Sequence, residues 1–297
     1  MNESVLRFGD SGSLIGIYTP APTSGTTSGS RPGIVLVNSG MVHRVGPNRL
    51  YVNIARQLAA AGYPVLRYDL SAIGDSSPRS DSLSFEKSAI SETSAAMAAL
   101  GVQSGACGFI LCGICSGADI AFLTTRDNPA VVGAVLINGR GLHGVTDDDA
   151  IEASLNSTLS AGISARYLLK NALFNPDSWR KLVGGRVNYL ELLSIVGRQL
   201  LRPFTSRDQA PESAPELRAA FHAILDRGVK LLMVYSEGDP STDYMKLMFG
   251  KEIKKLAACQ HFTEIHMPGA DHTFTPLHSR NELIAALRNW TDAHFTG

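Results

Sequence analysis

The chain has 297 residues, with 27 basic and 27 acidic side chains, and 44% of its residues are apolar. This length supplies a full hydrophobic core, so a mini-domain that depends on disulfides or a structural metal is excluded. The zero net charge gives no electrostatic reason to expect nucleic acid or an anionic membrane as a partner. The four cysteines lack the spacing of a disulfide framework and the second Cys or His pair of a zinc site, so we expect no metal and no cofactor.

The stretch between Glu92 and Asp119 contains no charged residue and is long enough to raise the question of a membrane span. Glycines and polar residues divide it, however, into a helix end, a loop, a buried strand and a turn. The first residues lack the basic start and apolar run of a signal peptide. We therefore expect a cytoplasmic protein without a membrane span.

Short apolar or β-branched runs predict the strands of a sheet. Residues 4–8 and 14–18 come first and predict a hairpin, which a turn-rich segment follows. The later runs alternate with amphipathic helices, which is typical of βα units around a mostly parallel sheet. They are residues 34–37, 65–68, 109–112, 131–137, 230–235 and 262–267.

The helices between the strands are recognised by apolar residues four positions apart. One such stripe follows Pro47, which suits a first helical turn, and precedes Gly62, which suits the end of a helix. Its members are Leu50, Ile54 and Leu58. Residues 244–258 and 281–290 carry similar stripes, and all three predict helices that cover the sheet.

Residues 141–227 interrupt this alternation, because they contain helical segments, such as 163–173 and 190–201, but no convincing strand. We predict a core formed by residues 1–140 and 228–297, with 141–227 inserted as a helical lid. Between residues 151 and 210 there are eight Lys or Arg against four Asp or Glu. This basic segment is either a solvated helical face or a surface that docks an acidic partner, such as a carrier protein.

The most specific motif reads Gly-Ile-Cys-Ser-Gly-Ala at positions 113–118, directly between a predicted strand and a predicted helix. It has the form of a nucleophile elbow, a turn so tight that Gly113 and Gly117 must be small. Cys115 occupies the nucleophile position. Its place at a helix N-terminus also favours the thiolate, which is the reactive form of cysteine.

A carboxylate and a histidine follow in the chain order that this architecture requires. Asp239 comes after the strand at 230–235, and His272 comes after the strand at 262–267. His272 would act as the base and Asp239 would hold its imidazole in the right tautomer. Glu237 and Asp243 are the alternatives to Asp239.

From about Gly33 to its end, the chain resembles the α/β-hydrolase fold, in the branch whose elbow carries cysteine. Supporting motifs are Val-Asn-Ser-Gly-Met at 37–41 and the loop at 68–76, each directly after a predicted strand. The segment 42–49 resembles hydrolase-like proteins associated with exosortase systems. The cysteine elbow is also similar to that of aminoacyltransferases that shuttle acyl groups between carrier domains in nonribosomal peptide pathways.

The resemblance implies an oxyanion hole and a substrate-binding loop after the strand at 34–37. Ser116 would donate one amide of the oxyanion hole, and either Gly40 or Met41 the other, since Asn-Ser stands at 38–39 where many members have His-Gly. The candidate substrate-binding residues are His43, Arg44 and Arg49. The two arginines could equally be salt-bridge partners at the start of a helix.

The resemblance and the motifs together predict an acyltransferase with an acyl-Cys115 intermediate and an acyl thioester as substrate, natural product biosynthesis being one setting. The runner-up is a thioesterase or esterase that uses the same triad with water. Two further alternatives remain: a catalytically silent protein that binds a ligand under its lid, and a redox dithiol formed by Cys112 and Cys115.

Overall fold

In the computed structural model, the described residues are 2–22, 31–139 and 214–296. The strands in these ranges form one sheet. They are β1 (Ser4–Phe8), β2 (Leu14–Thr19), β3 (Gly33–Val37), β4 (Val65–Tyr68), β5 (Phe109–Ile114), β6 (Val131–Ile137), β7 (Lys230–Ser236) and β8 (Phe262–Met267). The helices are α1 (Leu50–Ala60), α2 (Phe85–Ser104), α3 (Ser116–Asp127), α4 (Ala214–Asp226), α5 (Pro240–Phe249), α6 (Ile253–Ala257) and α7 (Leu277–Phe295).

The strand order is β1-β2-β4-β3-β5-β6-β7-β8. The two N-terminal strands run antiparallel, and every neighbouring pair from β4 to β8 is parallel. The carboxyl ends of these parallel strands therefore meet at one edge of the sheet. The loops after β3, β5, β7 and β8, which carry the residues singled out in the sequence, all emerge there.

Helices cover both faces of the sheet, which explains why the parallel strands are continuous apolar runs. In β3, Ile34 and Leu36 belong to the same buried cluster as residues of α1 and α7, whereas Val35 and Val37 belong to the cluster that contains residues of α2, α3 and α4. The two-residue period of the strand thus divides one apolar run between two core layers.

The predicted strands are all present, and β2, β5 and β7 each extend one or two residues further than predicted. The helical stripe after Pro47 is also confirmed, although residues 47–49 form a single 3₁₀ turn and α1 begins at Leu50. The stripe at 244–258 is not one helix. It breaks at Gly250, where φ is +50°, into α5, a 3₁₀ turn and α6.

The predicted helical segments at 163–173 and 190–201 lie outside the described residues, as does most of the predicted lid. Its C-terminal end is described as α4. There the ring of Phe221 packs between Phe122 and Phe249, with ring centroids 4.7 and 4.9 Å apart. This end of the predicted insertion is therefore part of the layer that covers the sheet.

Within the described ranges, no helix has the length and apolar character needed to cross a bilayer.

Candidate active site at the carboxyl edge of the sheet

Cys115 lies at the turn between β5 and α3, with φ 57° and ψ −129°, a backbone conformation that few non-glycine residues adopt. The glycines on either side allow this turn. A Cβ on Gly113 would lie 2.1 Å from the carbonyl oxygen of Gly117. A Cβ on Gly117 would lie 2.6 Å from the carbonyl oxygen of Asn38, so neither position tolerates a side chain.

His272 and Asp239 form a hydrogen bond of 2.6 Å between Nδ1 and Oδ2. Asp239 is the N-cap of α5, and its Oδ1 accepts hydrogen bonds from the N–H and the hydroxyl of Ser241. The aspartate side chain is 3% exposed and the histidine side chain 41%. The carboxylate is therefore held inside the protein, while the imidazole is partly exposed to solvent.

The pKa values in this group are shifted by their contacts. Burial alone would raise the pKa of Asp239, but its hydrogen bonds with His272 and Ser241 outweigh burial and hold it below its usual value. The hydrogen bond from Asp239 raises the pKa of His272 to about 10, and a hydrogen bond with Cys115 contributes in the same direction against burial. The three side chains are thus connected, and the imidazole is a strong acceptor for the thiol proton.

The other two candidate acids have different partners. Glu237 accepts a hydrogen bond of 2.7 Å from the N–H of Gly269, and Asp243 pairs with Lys246 at 3.7 Å. Of the three carboxylates considered from the sequence, Asp239 is the one that contacts His272.

Asn138, which the sequence analysis did not single out, holds the loop of His272. Its Nδ2 donates to the carbonyl oxygen of His272 at 2.8 Å and to Ser236 Oγ at 3.0 Å, while its Oδ1 accepts from the N–H of Ser236 at 2.8 Å. The residue is fully buried and has φ 48°. An Asn directly after an apolar strand was the available sequence signal, since asparagine tolerates positive φ.

The loop after β3 lies against the start of α3. A Cβ on Gly40, whose φ is +51°, would be 3.6 Å from the hydroxyl oxygen of Ser116. Within residues 31–139, the N–H groups of Gly40 and Met41 donate to no acceptor. Ser116 is the first residue of α3, so its N–H has no acceptor within the helix. These are the amides predicted for the oxyanion hole, and both candidates from this loop stay open.

A family model described as the alpha/beta hydrolase family matches residues 34–287. The chain belongs to this family. No protein of curated function matches the sequence.

Solved structures with the same fold cover nearly the whole chain of this alpha/beta hydrolase. A dienelactone hydrolase from Anabaena variabilis is 14% identical, with TM-score 0.54, covering 100% of this chain and 99% of that chain. A thermophilic esterase from Thermogutta terrifontis, with malate bound, is 16% identical, with TM-score 0.53 and 100% of both chains covered. A hypothetical protein from Pseudomonas aeruginosa is 14% identical, with TM-score 0.59, covering 99% and 93%. At these identities the likeness shows the fold alone.

In this alpha/beta hydrolase, Arg44 is bound by carboxylates of the loop after β4. Its guanidinium contacts Asp69 and Asp75, and Asp69 also accepts the backbone N–H of Arg44 at 2.6 Å. Asp69 is fully buried, and the arginine side chain is 12% exposed. His43 Nε2 lies 2.9 Å from the same guanidinium. The geometry therefore favours the salt-bridge interpretation for Arg44.

Arg49 differs from Arg44, because it is exposed and has no ion pair in the described part of the chain. It adopts φ 61° at the start of α1. The preceding residue, Asn48, donates a hydrogen bond of 3.2 Å to the hydroxyl of Thr275, three residues beyond His272. This contact places the segment of Arg49 beside the loop of the histidine.

Within the described residues, one cluster has the composition of a metal site. Ligand atoms of His43, Asp69 and Asp75 lie within 4.8 Å of one another. The guanidinium of Arg44 contacts both carboxylates, however, and supplies the positive charge that a cation would bring. The cluster therefore fits an ion-pair network centred on arginine better than a metal site.

Cys112 is the partner that a dithiol with Cys115 would need. Its side chain is buried inside β5, and burial raises its pKa to about 12. A thiol with such a pKa is almost entirely protonated at neutral pH and is a poor redox partner. The environment of Cys112 therefore weighs against the dithiol alternative.

Proposed function

We propose that the protein is an acyltransferase that forms an acyl thioester on Cys115 and passes the acyl group to a second nucleophile. The observation that carries this proposal is a cysteine at the strained elbow, in hydrogen-bond contact with His272, which is itself bonded to Asp239. This is the arrangement of nucleophile, base and orienting acid that covalent acyl transfer uses.

In the first half-reaction, His272 holds the thiol proton as an imidazolium, and the sulfur of Cys115 attacks the carbonyl carbon of a thioester. The amides of Ser116 and of Gly40 or Met41 stabilise the tetrahedral oxyanion. The intermediate collapses as the C–S bond to the donor breaks, and His272 returns the proton to the departing thiol. Asp239 stabilises the imidazolium throughout. The acceptor repeats these steps in the second half-reaction, with its own proton passing to His272.

Cysteine rather than serine favours transfer over hydrolysis. Exchange between two thioesters is nearly isoenergetic, so acyl-Cys115 forms without a deep energy minimum. The intermediate stays reactive towards a thiol or an amine, whereas a serine ester lies lower in energy and is better suited to attack by water.

A thioesterase or esterase with the same three residues is the second candidate. Its supporting observation is that the His272 side chain is 41% exposed, because this exposure allows water to reach the base. The names of two structural neighbours, a dienelactone hydrolase and an esterase, point the same way. The two candidates share the first half-reaction and differ in the acceptor.

The donor in this proposal is an acyl thioester, which an acidic carrier protein could present. The basic composition of residues 151–210 complements such a partner, and residues 141–227 would act as the lid over the site. Arg49 would meet an anionic group of the donor, because it is exposed and its segment lies beside the loop of His272.

Intact mass spectrometry tests the proposal. Wild type, Cys115→Ala and Cys115→Ser are incubated briefly with acetyl, octanoyl and glycyl thioesters of N-acetylcysteamine, then chased with cysteamine or glycinamide. We expect an acyl adduct on the wild type and none on Cys115→Ala, and transfer to the acceptor that is faster than release of free acid. Rapid release of free acid would support the thioesterase instead. The absence of any adduct would overturn both and favour a binding protein.

A further inference from the structure

The segment 42–49, which stands out in the sequence, leads into a tyrosine that is buried beneath the candidate active site. Tyr51 is 1% exposed and lies in the first turn of α1. The turn before it is shaped around its ring, since a Cβ on Gly46 would lie 2.8 Å from the Cγ of Tyr51. The N–H of Tyr51 also donates to the carbonyl oxygen of Val45 at 3.2 Å.

The hydroxyl of Tyr51 connects the ends of two neighbouring strands. It donates to the carbonyl oxygen of Val37, at the end of β3, at 2.7 Å. It accepts from the N–H of Ile114, at the end of β5, at 3.2 Å. Direct pairing of the two strands ends one step earlier, at Val37 and Gly113. The hydroxyl therefore continues the connection past the last direct pair.

The phenol is suited to both hydrogen bonds. Burial raises the pKa of Tyr51 well above its usual value, so the hydroxyl keeps the proton that it donates to Val37. The backbone beside it leaves little room for movement. A Cβ on Gly117 would lie 2.6 Å from the same carbonyl oxygen of Val37, so the start of α3 is already in close contact with the end of β3.

Each end of this bridge leads directly into one half of the candidate site. Val37 is followed by the loop that carries Gly40 and Met41, and Ile114 is followed by Cys115 and Ser116. The separation between the nucleophile and the oxyanion donors depends on how these two strand ends are held. A misplacement of about 1 Å in such a site can cost about a hundredfold in rate.

We propose that Tyr51 is a positioning residue that sets the distance between the oxyanion loop after β3 and the nucleophile elbow after β5. It acts through backbone groups and touches no reacting atom. This inference rests on the proposed function, because it assigns the bridge to a reaction that passes through a tetrahedral oxyanion.

The test compares Tyr51→Phe with a matched control, Tyr68→Phe. Tyr68 is also fully buried, and its hydroxyl shares a hydrogen bond of 2.8 Å with Thr93, between β4 and α2. Each variant removes one buried hydroxyl, which makes two hydrogen bonds in Tyr51 and one in Tyr68, so we expect Tyr51→Phe to lose more stability. A role in stability alone would leave kcat of the folded protein unchanged in both variants, whereas a positioning role would lower kcat in Tyr51→Phe.

Two measurements on the full chain separate these roles. With phenyl thioacetate as the probe, we expect Tyr51→Phe to lower kcat about tenfold with KM within about twofold, and Tyr68→Phe to keep kcat within about twofold. Alkylation of Cys115 by iodoacetamide needs no oxyanion hole, so its rate stays within about twofold in both variants. An unchanged kcat in Tyr51→Phe, or an equal loss in the two variants, would overturn the proposal.

A measurement without substrate distinguishes failure of this inference from failure of the proposed function. We expect backbone amides at 38–42 and 114–117 to exchange hydrogen faster in Tyr51→Phe than in the wild type or Tyr68→Phe. If the wild type turns over no thioester, the proposed function fails while faster exchange still supports the bridge. Unchanged exchange at both segments of Tyr51→Phe would overturn the bridge whatever the activity.

Discussion

The side-chain amide of Asn138 donates a hydrogen bond of 2.8 Å to the backbone carbonyl oxygen of His272. The two residues are 134 positions apart in the chain, and they lie at the ends of strands separated in the sheet by β7. The same amide group bonds to Ser236, at the end of β7. One buried side chain thus ties three neighbouring strand ends together, including the loop that presents the histidine.

The first prediction is that Asn138→Asp loses both stability and activity. The aspartate keeps the acceptor for Ser236 but cannot donate to the carbonyl oxygen of His272, and it brings a negative charge into a fully buried position. We expect a loss of about 2–4 kcal/mol in the free energy of unfolding, measured with urea, and a lower kcat. Asn128→Asp is the control, because Asn128 likewise accepts through Oδ1, from Ala130 at 3.0 Å, but is only partly buried and donates to Ser94 at 3.5 Å. Equal stability losses in the two variants would contradict this prediction.

A second prediction concerns the hydroxyl of Ser241, which bonds to the carboxylate of Asp239. Ser241→Ala removes that donor and leaves Oδ1 of Asp239 with only the backbone N–H of residue 241, so the pKa of Asp239 should rise towards its usual value while the bond with His272 remains. We expect kcat to fall by about fivefold with KM unchanged, together with a shift of the acidic limb of the pH profile to higher pH. Ser241→Thr retains a hydroxyl and should recover most of the activity. If the threonine and alanine variants behave alike, the hydroxyl has no such role.

The third prediction is a pH dependence of stability. Since the pKa of His272 is raised from 6.5 to about 10 in the folded protein, its contribution is fully present below pH 6.5 and is lost as the pH rises through about 10. Urea unfolding of wild type and His272→Gln would measure this. The difference between their free energies of unfolding should be largest near about pH 6 and should shrink towards about pH 10. A difference that stays constant over this range would argue against the raised pKa.

A fourth prediction tests the elbow. In Gly117→Ala the new Cβ would meet the backbone oxygens of Val37 and Asn38, both at 2.6 Å, and backbone cannot yield as a side chain can. We expect a loss of more than about 3 kcal/mol in stability and no labelling of Cys115 by acyl donors. Gly108→Ala is the matched control, because its Cβ would meet a methyl group of Val132 at 3.1 Å and should cost less than about 1.5 kcal/mol. Wild-type labelling of Gly117→Ala would show that the elbow is looser than its geometry implies.

The fifth prediction is that substitution of the two arginines in the loop after β3 has different effects on stability and on KM. Arg44→Met leaves the fully buried carboxylate of Asp69 without its guanidinium partner and should cost about 3 kcal/mol or more in stability. Arg49→Met removes an exposed side chain and should change the free energy of unfolding by less than about 0.5 kcal/mol. If Arg49 meets an anionic group of the donor, its variant raises KM for coenzyme A thioesters but leaves KM for phenyl thioacetate unchanged. A KM for coenzyme A thioesters that is the same in Arg49→Met and the wild type would exclude Arg49 from the substrate site.

The order of strands and helices was readable from the sequence because each parallel strand is buried on both faces. Burial on both faces makes strands such as residues 131–137 continuous apolar runs that local composition reveals. The elbow was equally readable, since its tight turn demands glycine at 113 and 117 whatever the rest of the fold does. The prediction of one helix at 244–258 was wrong, because the apolar stripe continues past Gly250 although the backbone turns there.

By itself, then, the sequence determined the fold class, the elbow of Cys115 and the chain order of the candidate nucleophile, acid and base, because these depend on periodicity and on short-range sterics. Only the tertiary structure decided which acid bonds to His272, that carboxylates bind Arg44, and that Asn138 and Tyr51 join separate strand ends. Each of these contacts links residues that are far apart in the chain. These contacts depend on which strand ends lie side by side in the sheet, and local residue patterns do not contain that information.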